Sequence, residues 1–324
     1  QEAQAGSGGT YGGLGSGGQA GGGGQKERGI KHISPGQGSV LVLGSGGLIG
    51  KKVVTWLRNR GYNVLEVRDR GHFDLRVEGI LDAFDSYDVR YCVFLACEVG
   101  GAKFIESSKQ DVQVGIISSN VRMYQSVIPW LTARNIPFVF SSSYLQGTHN
   151  GYGSVKRLGE SWIRALGGLG KVLRLWNVYG AENVGLKSHV LSDWAQQCAE
   201  GGKAESLTDG WEERQFTHAD DAAAALGIAM EKHWEMDEVS DVSSGDWISM
   251  RDAAGVLSAA AGSGGWECGV SFNAKASPPR EKLSPHLNGT LHKYWKPEIP
   301  LQEGCRRLIE EYRASGREGH KQEL

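Results

Sequence analysis

The chain has 324 residues, 40% of them hydrophobic, which is enough to bury one large core or two coupled ones. With 35 Lys and Arg against 37 Asp and Glu, the formal charge of -2 gives no argument for nucleic acid or an anionic lipid surface as a partner. No run of about eighteen apolar residues occurs, so no membrane span is expected.

Residues 1–38 are dominated by glycine, serine and glutamine, and such a stretch buries too little apolar surface to offset the entropy of ordering. A flexible tail is expected there. From Val40 onward strands and helices alternate, the pattern of an α/β fold with a parallel sheet covered on both faces. Residues 40–43 read as a short buried strand. Ile49, Val53, Trp56 and Leu57 recur at helical spacing and stop at Gly61. Residues 64–67 and 92–96 read as the next strands. A long helix follows over 111–134, with Val114, Ile117, Val121, Tyr124 and Ile128 on one stripe. Residues 138–140 and 172–176 supply two further strands. After Gly180 the pattern loosens, with helices near 188–201, 221–231, 250–261 and 301–313. The expected organisation is a tail over 1–38, a nucleotide-binding domain over 39–180, and a smaller α/β lobe over 181–324 interleaved with the end of that domain.

Three motifs carry the chemistry. Gly44-Ser45-Gly46-Gly47-Leu48-Ile49-Gly50 lies between a strand and an amphipathic helix, where a tight turn lets backbone N–H groups approach a pyrophosphate at a positive helix end. Phe138-Val139-Phe140-Ser141-Ser142-Ser143 ends another apolar strand in hydroxyls. Tyr152 and Lys156 follow, one helical turn apart; a phenol with a reference pKa of about 10 needs such a cation to act as a base near neutrality. At the end of the second strand, Arg68-Asp69-Arg70 offers both an acid for a ribose hydroxyl, as NAD sites use, and arginines for a 2′-phosphate, as NADP sites use.

Five cysteines leave at least one unpaired, and none has metal-ligand spacing, so no metal is expected. Cys92 and Cys97, five apart on one expected strand, face opposite sides and cannot bridge each other. The chain starts at Gln1 rather than methionine, consistent with a removed signal peptide. It ends Lys321-Gln322-Glu323-Leu324, close to the endoplasmic-reticulum retrieval address and preceded by polar residues expected to be unstructured. Asn288-Gly289-Thr290 is a glycosylation acceptor triplet. A location in the endoplasmic-reticulum lumen is expected, with the cytoplasm as the alternative.

Taken together, the glycine loop, the serine run and the Tyr152/Lys156 pair resemble the extended short-chain dehydrogenases/reductases, the superfamily of sugar-nucleotide epimerases, dehydratases and reductases. The likeness extends from Val40 to about Tyr312. It implies a Rossmann doubly wound sheet with NADP or NAD at Gly44, Gly47, Leu48, Ile49 and Gly50, and further cofactor contacts from Leu95, Ala96 and Asn120. The stretch around Arg68 and Arg70, followed by Asp74 and Leu75, resembles the GDP-fucose synthase branch, which tilts the expectation towards NADP. The resemblance also assigns Tyr152 as acid/base, Lys156 as its partner on the nicotinamide ribose, and a serine as holder of the reacting oxygen; loop length favours Ser142, then Ser143. Asn177 and Arg214 resemble residues that meet the phosphates of a nucleotide sugar. Arg280 resembles a second such arginine, and Gly100 a Gly-Gly loop at the sugar. His189 matches a histidine that protonates substrate in one branch; here it either does so or hydrogen-bonds a sugar.

Departures from the family narrow the reaction. Tyr144-Leu145 stand where dehydratases carry an Asp-Glu pair, and no cysteine occupies the loop where 3,5-epimerases such as GDP-mannose 3,5-epimerase place one. A 4-epimerase like UDP-glucose 4-epimerase is the leading expectation, an NADP-dependent reductase the next, and a catalytically silent cofactor-binding subunit the rival from another class. Family members pair two helices into a dimer interface, which here correspond to 111–134 and 152–167; Ile117, Val121, Met123 and Tyr124 are the apolar residues expected in a homodimer.

Overall fold

We describe a computed structural model of residues 33–68, 70–274 and 283–322, the last seven by backbone alone. Expectations resting on residues 1–32, on Asp69, on Arg280 and on side chains of 316–324 lie outside these described residues.

The first half alternates as expected: β1 Ser39–Leu43, α1 Leu48–Asn59, β2 Asn63–Val67, β3 Val89–Phe94, α2 Ala102–Ile105, α3 Gln110–Ala133, β4 Phe138–Ser143, α4 Gly151–Arg164 and β5 Gly170–Leu175. The second half is built of shorter pieces: β6 Asn177–Tyr179, α5 Val190–Gly201, β7 Lys203–Glu205, β8 Glu213–Arg214, β9 Phe216–His218, α6 Ala219–Glu231, β10 Val239–Val242, β11 Ile248–Ser249, α7 Met250–Ser263, β12 Gly269–Ser271, α8 Leu291–Tyr294 and α9 Leu301–Gln322. Residues 33–38, expected to belong to the tail, instead fold back as a turn whose Gly36 N–H donates to Gly61 O at 3.2 Å.

Six strands form one all-parallel sheet in the order β10-β5-β4-β3-β1-β2. The chain steps from β1 to β2 on one side and then crosses to β3 on the other, so the ends of β1 and β3 open the crevice where doubly wound sheets bind ligands. Along β1, Val40 and Val42 join one apolar cluster while Leu41 and Leu43 join another. A strand buried on both faces requires this arrangement. The cluster with Val40 is closed by Val53, Leu57 and Leu226, from α1 and α6; the other is closed by Tyr124, Val155 and Ile163, from α3 and α4. A third cluster, around Trp194, Leu257 and Leu308, holds the smaller lobe together. Strand β10 follows β6 to β9 in sequence yet pairs with β5 in the main sheet.

Three expectations change. The buried stripe of α3 runs through Ile116, Asn120, Met123, Tyr124, Val127 and Ile128, whereas Val114 and Ile117 are exposed at 55% and 41%. Cys97 lies beyond β3, which ends at Phe94. Helix α9 continues to Gln322, past the expected end near residue 313 and through the stretch expected to be unstructured. Cys198 and Cys268 form a disulfide that closes a loop of sequence separation 70. Chain-entropy bookkeeping for a loop of that length gives about 4 kcal/mol of stabilisation.

Candidate active site

The crevice continues into a cavity of about 560 Å³ that runs from the glycine loop to Arg214. At its cofactor end, the N–H groups of Gly44 and Ser45 both donate to Val67 O, at 2.9 and 3.0 Å, which folds the chain sharply out of β1. Gly44 has φ +88, and a Cβ on Gly50 would come within 2.1 Å of Gly44 O, so neither position accepts a side chain. The loop delivers Gly47 as the N-cap of α1 with no side-chain cap bond, leaving the helix's first N–H groups for another acceptor. Beside them the Ser45 hydroxyl is buried and has no partner. Free donors at a helix N-terminus, in a cradle that excludes side chains, fit the pyrophosphate of a dinucleotide. Leu48, Ile49, Leu75, Leu95 and Ala96 line the same end of the cavity.

The charged residues beside this cradle are already paired. Arg68 Nε donates to Glu66 Oε2 at 2.8 Å, and that hydrogen bond lowers the Glu66 carboxyl from its ordinary range. Asp74 binds Arg76 through Oδ1 and Oδ2, at 2.8 and 2.6 Å, and the Arg76 guanidinium pulls its pKa down to about 2. Arg70 is hydrogen-bonded to Glu98, which also takes Lys187. Burial works against the Glu98 charge, but the two cations outweigh it and hold the carboxyl below its usual range. Asn120, expected to touch cofactor, is fully buried and fully used: Oδ1 accepts from Glu98 N at 3.0 Å, and Nδ2 donates to Glu98 O and Ile116 O at 3.1 and 2.8 Å. It props the loop after β3 rather than facing the cavity.

The serine run, Tyr152 and Lys156 line the middle of the cavity. Helix α4 is started by Asn150, whose side chain accepts from Gly153 N at 2.8 Å, and this places Tyr152 and Lys156 one turn apart. Lys156 Nζ donates to Ser141 O at 2.7 Å and lies 5.6 Å from the Tyr152 ring centroid. The three serines of β4 diverge because alternate residues of a strand face opposite ways. Ser142 lines the cavity too, but its hydroxyl donates to Glu160 Oε1 at 2.6 Å, within an ion pair completed by Arg174 at 2.9 and 2.6 Å. Of the three serines, Ser143 is the one that lies close enough to Tyr152 to pull its phenol down, whereas the Ser142 hydroxyl, expected in that place, is taken by Glu160. Burial pushes the Tyr152 phenol well above its ordinary value; the neighbouring Cys97 adds to this and the Ser143 hydrogen bond opposes it. The loop after the serines contains no cysteine, yet folding brings Cys97 beside Lys156 from the end of β3. Burial raises its thiol, with Lys156 pulling the other way.

At the far end, Tyr144 donates to Asn177 Oδ1 at 3.2 Å and stacks on Trp176 with ring centroids 4.8 Å apart. Arg214 lines the cavity, with Nη1 donating to Glu213 O at 2.8 Å. His189 caps α5, and its Nδ1 lies 2.9 and 3.1 Å from the two oxygens of Glu182. A carboxylate on Nδ1 fixes the ring and favours the proton there, leaving Nε2 for another partner. Burial would raise the Glu182 carboxyl, but its hydrogen bonds with His189 outweigh it and hold it low. Gly100 lines the cavity and abuts Lys187, whose Cα would lie 2.9 Å from a Cβ there. Folding thus gathers Ser143, Tyr152, Lys156, Asn177, His189, Arg214 and Gly100 around one cavity. Glu98, Glu182, Cys97 and Ser45 were missed by sequence reasoning. Only Ser45, inside the glycine loop, carried any local signal.

Known proteins share this fold. The NAD dependent epimerase/dehydratase family matches residues 40–243. "Probable GDP-L-fucose synthase 1" of Oryza sativa subsp. japonica is 25% identical over 308 residues, covering 85% of this chain and 91% of its own length. Among solved structures, UDP-glucose 4-epimerase of Thermotoga maritima with UDP-glucose superposes with a TM-score of 0.69 at 21% identity, over 86% of this chain and 99% of the other. The GDP-L-fucose synthetase of Naegleria fowleri bound to NADP gives 0.72 at 18% identity, over 89% and 96%.

Proposed function

The chain belongs to the NAD dependent epimerase/dehydratase family, and from that premise we propose that it is an NAD(P)-dependent enzyme that moves hydride at one carbinol carbon of a nucleoside-diphosphate sugar, with 4-epimerisation as the reaction. The observation that carries this reading is the Ser143, Tyr152 and Lys156 group in the middle of one cavity, with the dinucleotide cradle at one end and Asn177 and Arg214 at the other. When bound, NAD(P) supplies a ring that accepts and returns hydride. Gly44, Ser45 and the α1 N-terminus would hold its pyrophosphate, and Lys156 its nicotinamide ribose.

The chain's own part is proton transfer and positioning. Tyr152 takes the hydroxyl proton of the substrate as the carbon loses hydride, and returns it when hydride comes back to the opposite face of the ketone. Ser143 donates a hydrogen bond to the reacting oxygen, where charge develops. Arg214 and the Asn177 amide meet the diphosphate, so binding energy far from the carbon orients the sugar. His189, braced by Glu182, hydrogen-bonds the sugar. Tyr144 replaces the carboxylates or thiol that would abstract a second proton, and burial raises its phenol further from a base.

Turnover of UDP- and GDP-sugars in deuterated water tests this. An epimerase interconverts two sugars without net consumption of cofactor and without deuterium in the product; a reductase consumes reduced cofactor stoichiometrically. A protein that retains cofactor but turns over no nucleotide sugar would be a silent binder, and the reading would fall.

Two further expectations, on assembly and location, enter here as proposals. A homodimer through α3 and α4 is favoured by the exposed Val114, Ile117 and Leu158, at 55%, 41% and 43%. Met123 and Tyr124 are occupied in the chain's own core. Light scattering at the mass of one chain, unchanged by Ile117→Glu, would refute it. A luminal location is supported by the Cys198–Cys268 disulfide and by the exposed Asn288 of the glycosylation triplet. Protein found only in the cytosol, with both thiols free, would refute that.

A further inference from the structure

Tyr144 is unexplained by hydride transfer, yet it is held more firmly than a bystander needs. It follows Ser143 directly and opens the single helical turn Tyr144–Gly147. Its ring lies flat on Trp176, with 16° between the planes, and Trp176 is fixed in turn by an Nε1 bond to Asp241 at 3.1 Å. The phenol is therefore presented from a ring packed against an anchored neighbour. Its hydrogen bond goes to Asn177 Oδ1, while Asn177 Nδ2 donates to Gln215 O at 3.4 Å. Gln215 O is a carbonyl and can only accept, so it must face the amide NH2; the Tyr144 hydroxyl must then face the amide oxygen. Each neighbour fixes one end of Asn177. One Nδ2 proton remains for an acceptor in the cavity, which Asn177 lines beside Arg214. Gln215 is itself pinned, fully buried and hydrogen-bonded to Ser243. A relay thus runs from the end of β4, through Asn177, to the segment that carries Arg214. Arg214 also lies close enough to Tyr144 to oppose the rise that burial imposes on its phenol.

We propose that Tyr144 is a positioning residue for substrate: its phenol orients the Asn177 amide so that an N–H meets the diphosphate next to Arg214, while its stacked ring sets the spacing between that diphosphate and the Ser143/Tyr152 pair. This rests on the nucleoside-diphosphate sugar reading above and adds a determinant to it. The residue has no acid/base task. Its effect falls on how tightly the diphosphate is held before and after reaction.

Calorimetric titration of the cofactor-loaded protein with UDP and GDP, beside steady-state kinetics, tests the idea. Tyr144→Phe keeps the stack and deletes only the donor. Expected are about a tenfold weaker affinity for the nucleoside diphosphate and an equal rise in KM, with a much smaller change in kcat, since a hydrogen bond of this kind is worth about one factor of ten. Asn177→Ala should weaken binding by more. In the Asn177→Ala background, Tyr144→Phe should add nothing, because the phenol acts only through the amide. A Tyr144→Phe protein with unchanged nucleoside-diphosphate affinity overturns the proposal, as does full additivity of the two substitutions. If the parent protein binds neither UDP nor GDP, the nucleotide-sugar reading itself falls, and the proposal with it. Loss of cofactor binding or a general drop in melting temperature in Tyr144→Phe would mark a merely structural tyrosine and overturn the proposal.

Discussion

Ser142 and Ser143 are adjacent and chemically identical, yet their removal should have opposite consequences. Ser142→Ala deletes a donor to Glu160 Oε1 at 2.6 Å in a buried ion pair. Glu160 would remain bound by Arg174 through both oxygens, so the carboxylate keeps its charge partner and loses one charge-assisted hydrogen bond. That costs about 2 kcal/mol, or roughly 4 °C in melting temperature for a chain of this size. The reacting oxygen is untouched, and kcat should stay within about twofold. Ser143→Ala deletes the hydroxyl beside Tyr152 and the acceptor for Leu145 N at 3.1 Å. The lost cap costs about 1 kcal/mol, while a missing donor to a developing oxyanion lowers kcat about a hundredfold. Thermal melts and single-turnover hydride transfer, measured on both variants with cofactor bound, separate the two. If Ser142→Ala abolishes transfer while Ser143→Ala leaves it intact, the strand orientation argued here is wrong.

Tyr152→Phe should abolish turnover but change cofactor affinity by no more than a few-fold, because the pyrophosphate contacts lie at the glycine loop; fluorescence titration with NADPH and NADH checks the second half. Removing Arg68 and Arg70 together should weaken NADPH more than NADH. Conversely, Glu98→Gln, which weakens the hold on Arg70, should raise NADPH affinity; no change in the NADPH/NADH ratio in either variant would take both arginines out of cofactor choice. His233 is buried between Tyr91 and Gly168 O, with ring nitrogens at 2.7 and 3.0 Å, and burial pushes it down to about 4. Its folded pKa is below the unfolded value of about 6.5, so the unfolded chain takes up the proton first as pH falls. Stability from this residue should be complete above pH of about 6.5 and decline by up to about 1.4 kcal/mol per unit towards pH 4. Urea unfolding of His233→Gln should show a correspondingly shallower decline, and an equal slope would exclude His233 as a source.

The parallel half of the fold was legible because each strand and helix there carries its own signal. Val40 to Leu43 form an unbroken apolar run, and Ile49 to Leu57 keep a helical period up to Gly61. In α3 the period was present, but its phase was misread: Val114 and Ile117 are apolar without being buried, and a stripe of hydrophobic residues does not say which molecule covers it. The two- and three-residue strands of the smaller lobe, such as β8 and β11, are too short to show any alternation. For the site, motif spacing found Tyr152 and Lys156 but not which serine faces them, since that depends on where β4 ends. Glu98 was invisible because its carboxylate is defined by partners remote in sequence, Arg70 and Lys187, 28 and 89 residues away, and Glu182 because its role depends on how the loop after β6 returns it to His189, seven residues on.

The place of β10 at the edge of the main sheet bears on modularity. A cut after Gly180 would look, by sequence, like a clean release of the cofactor half. It would instead strip β5 of its neighbour, leaving its hydrogen-bonding edge bare, and remove α6, whose Ala222, Ala225 and Leu226 cover the face of the sheet that α1 shares. The excised fragment would be an aggregation-prone piece rather than a domain. Recombination that swaps substrate lobes between relatives must therefore carry α6 and β10 with the acceptor's own sheet, and because the lobe cluster draws on residues both before α6 and after β10, three crossover points, not one, are the minimum for a working chimera.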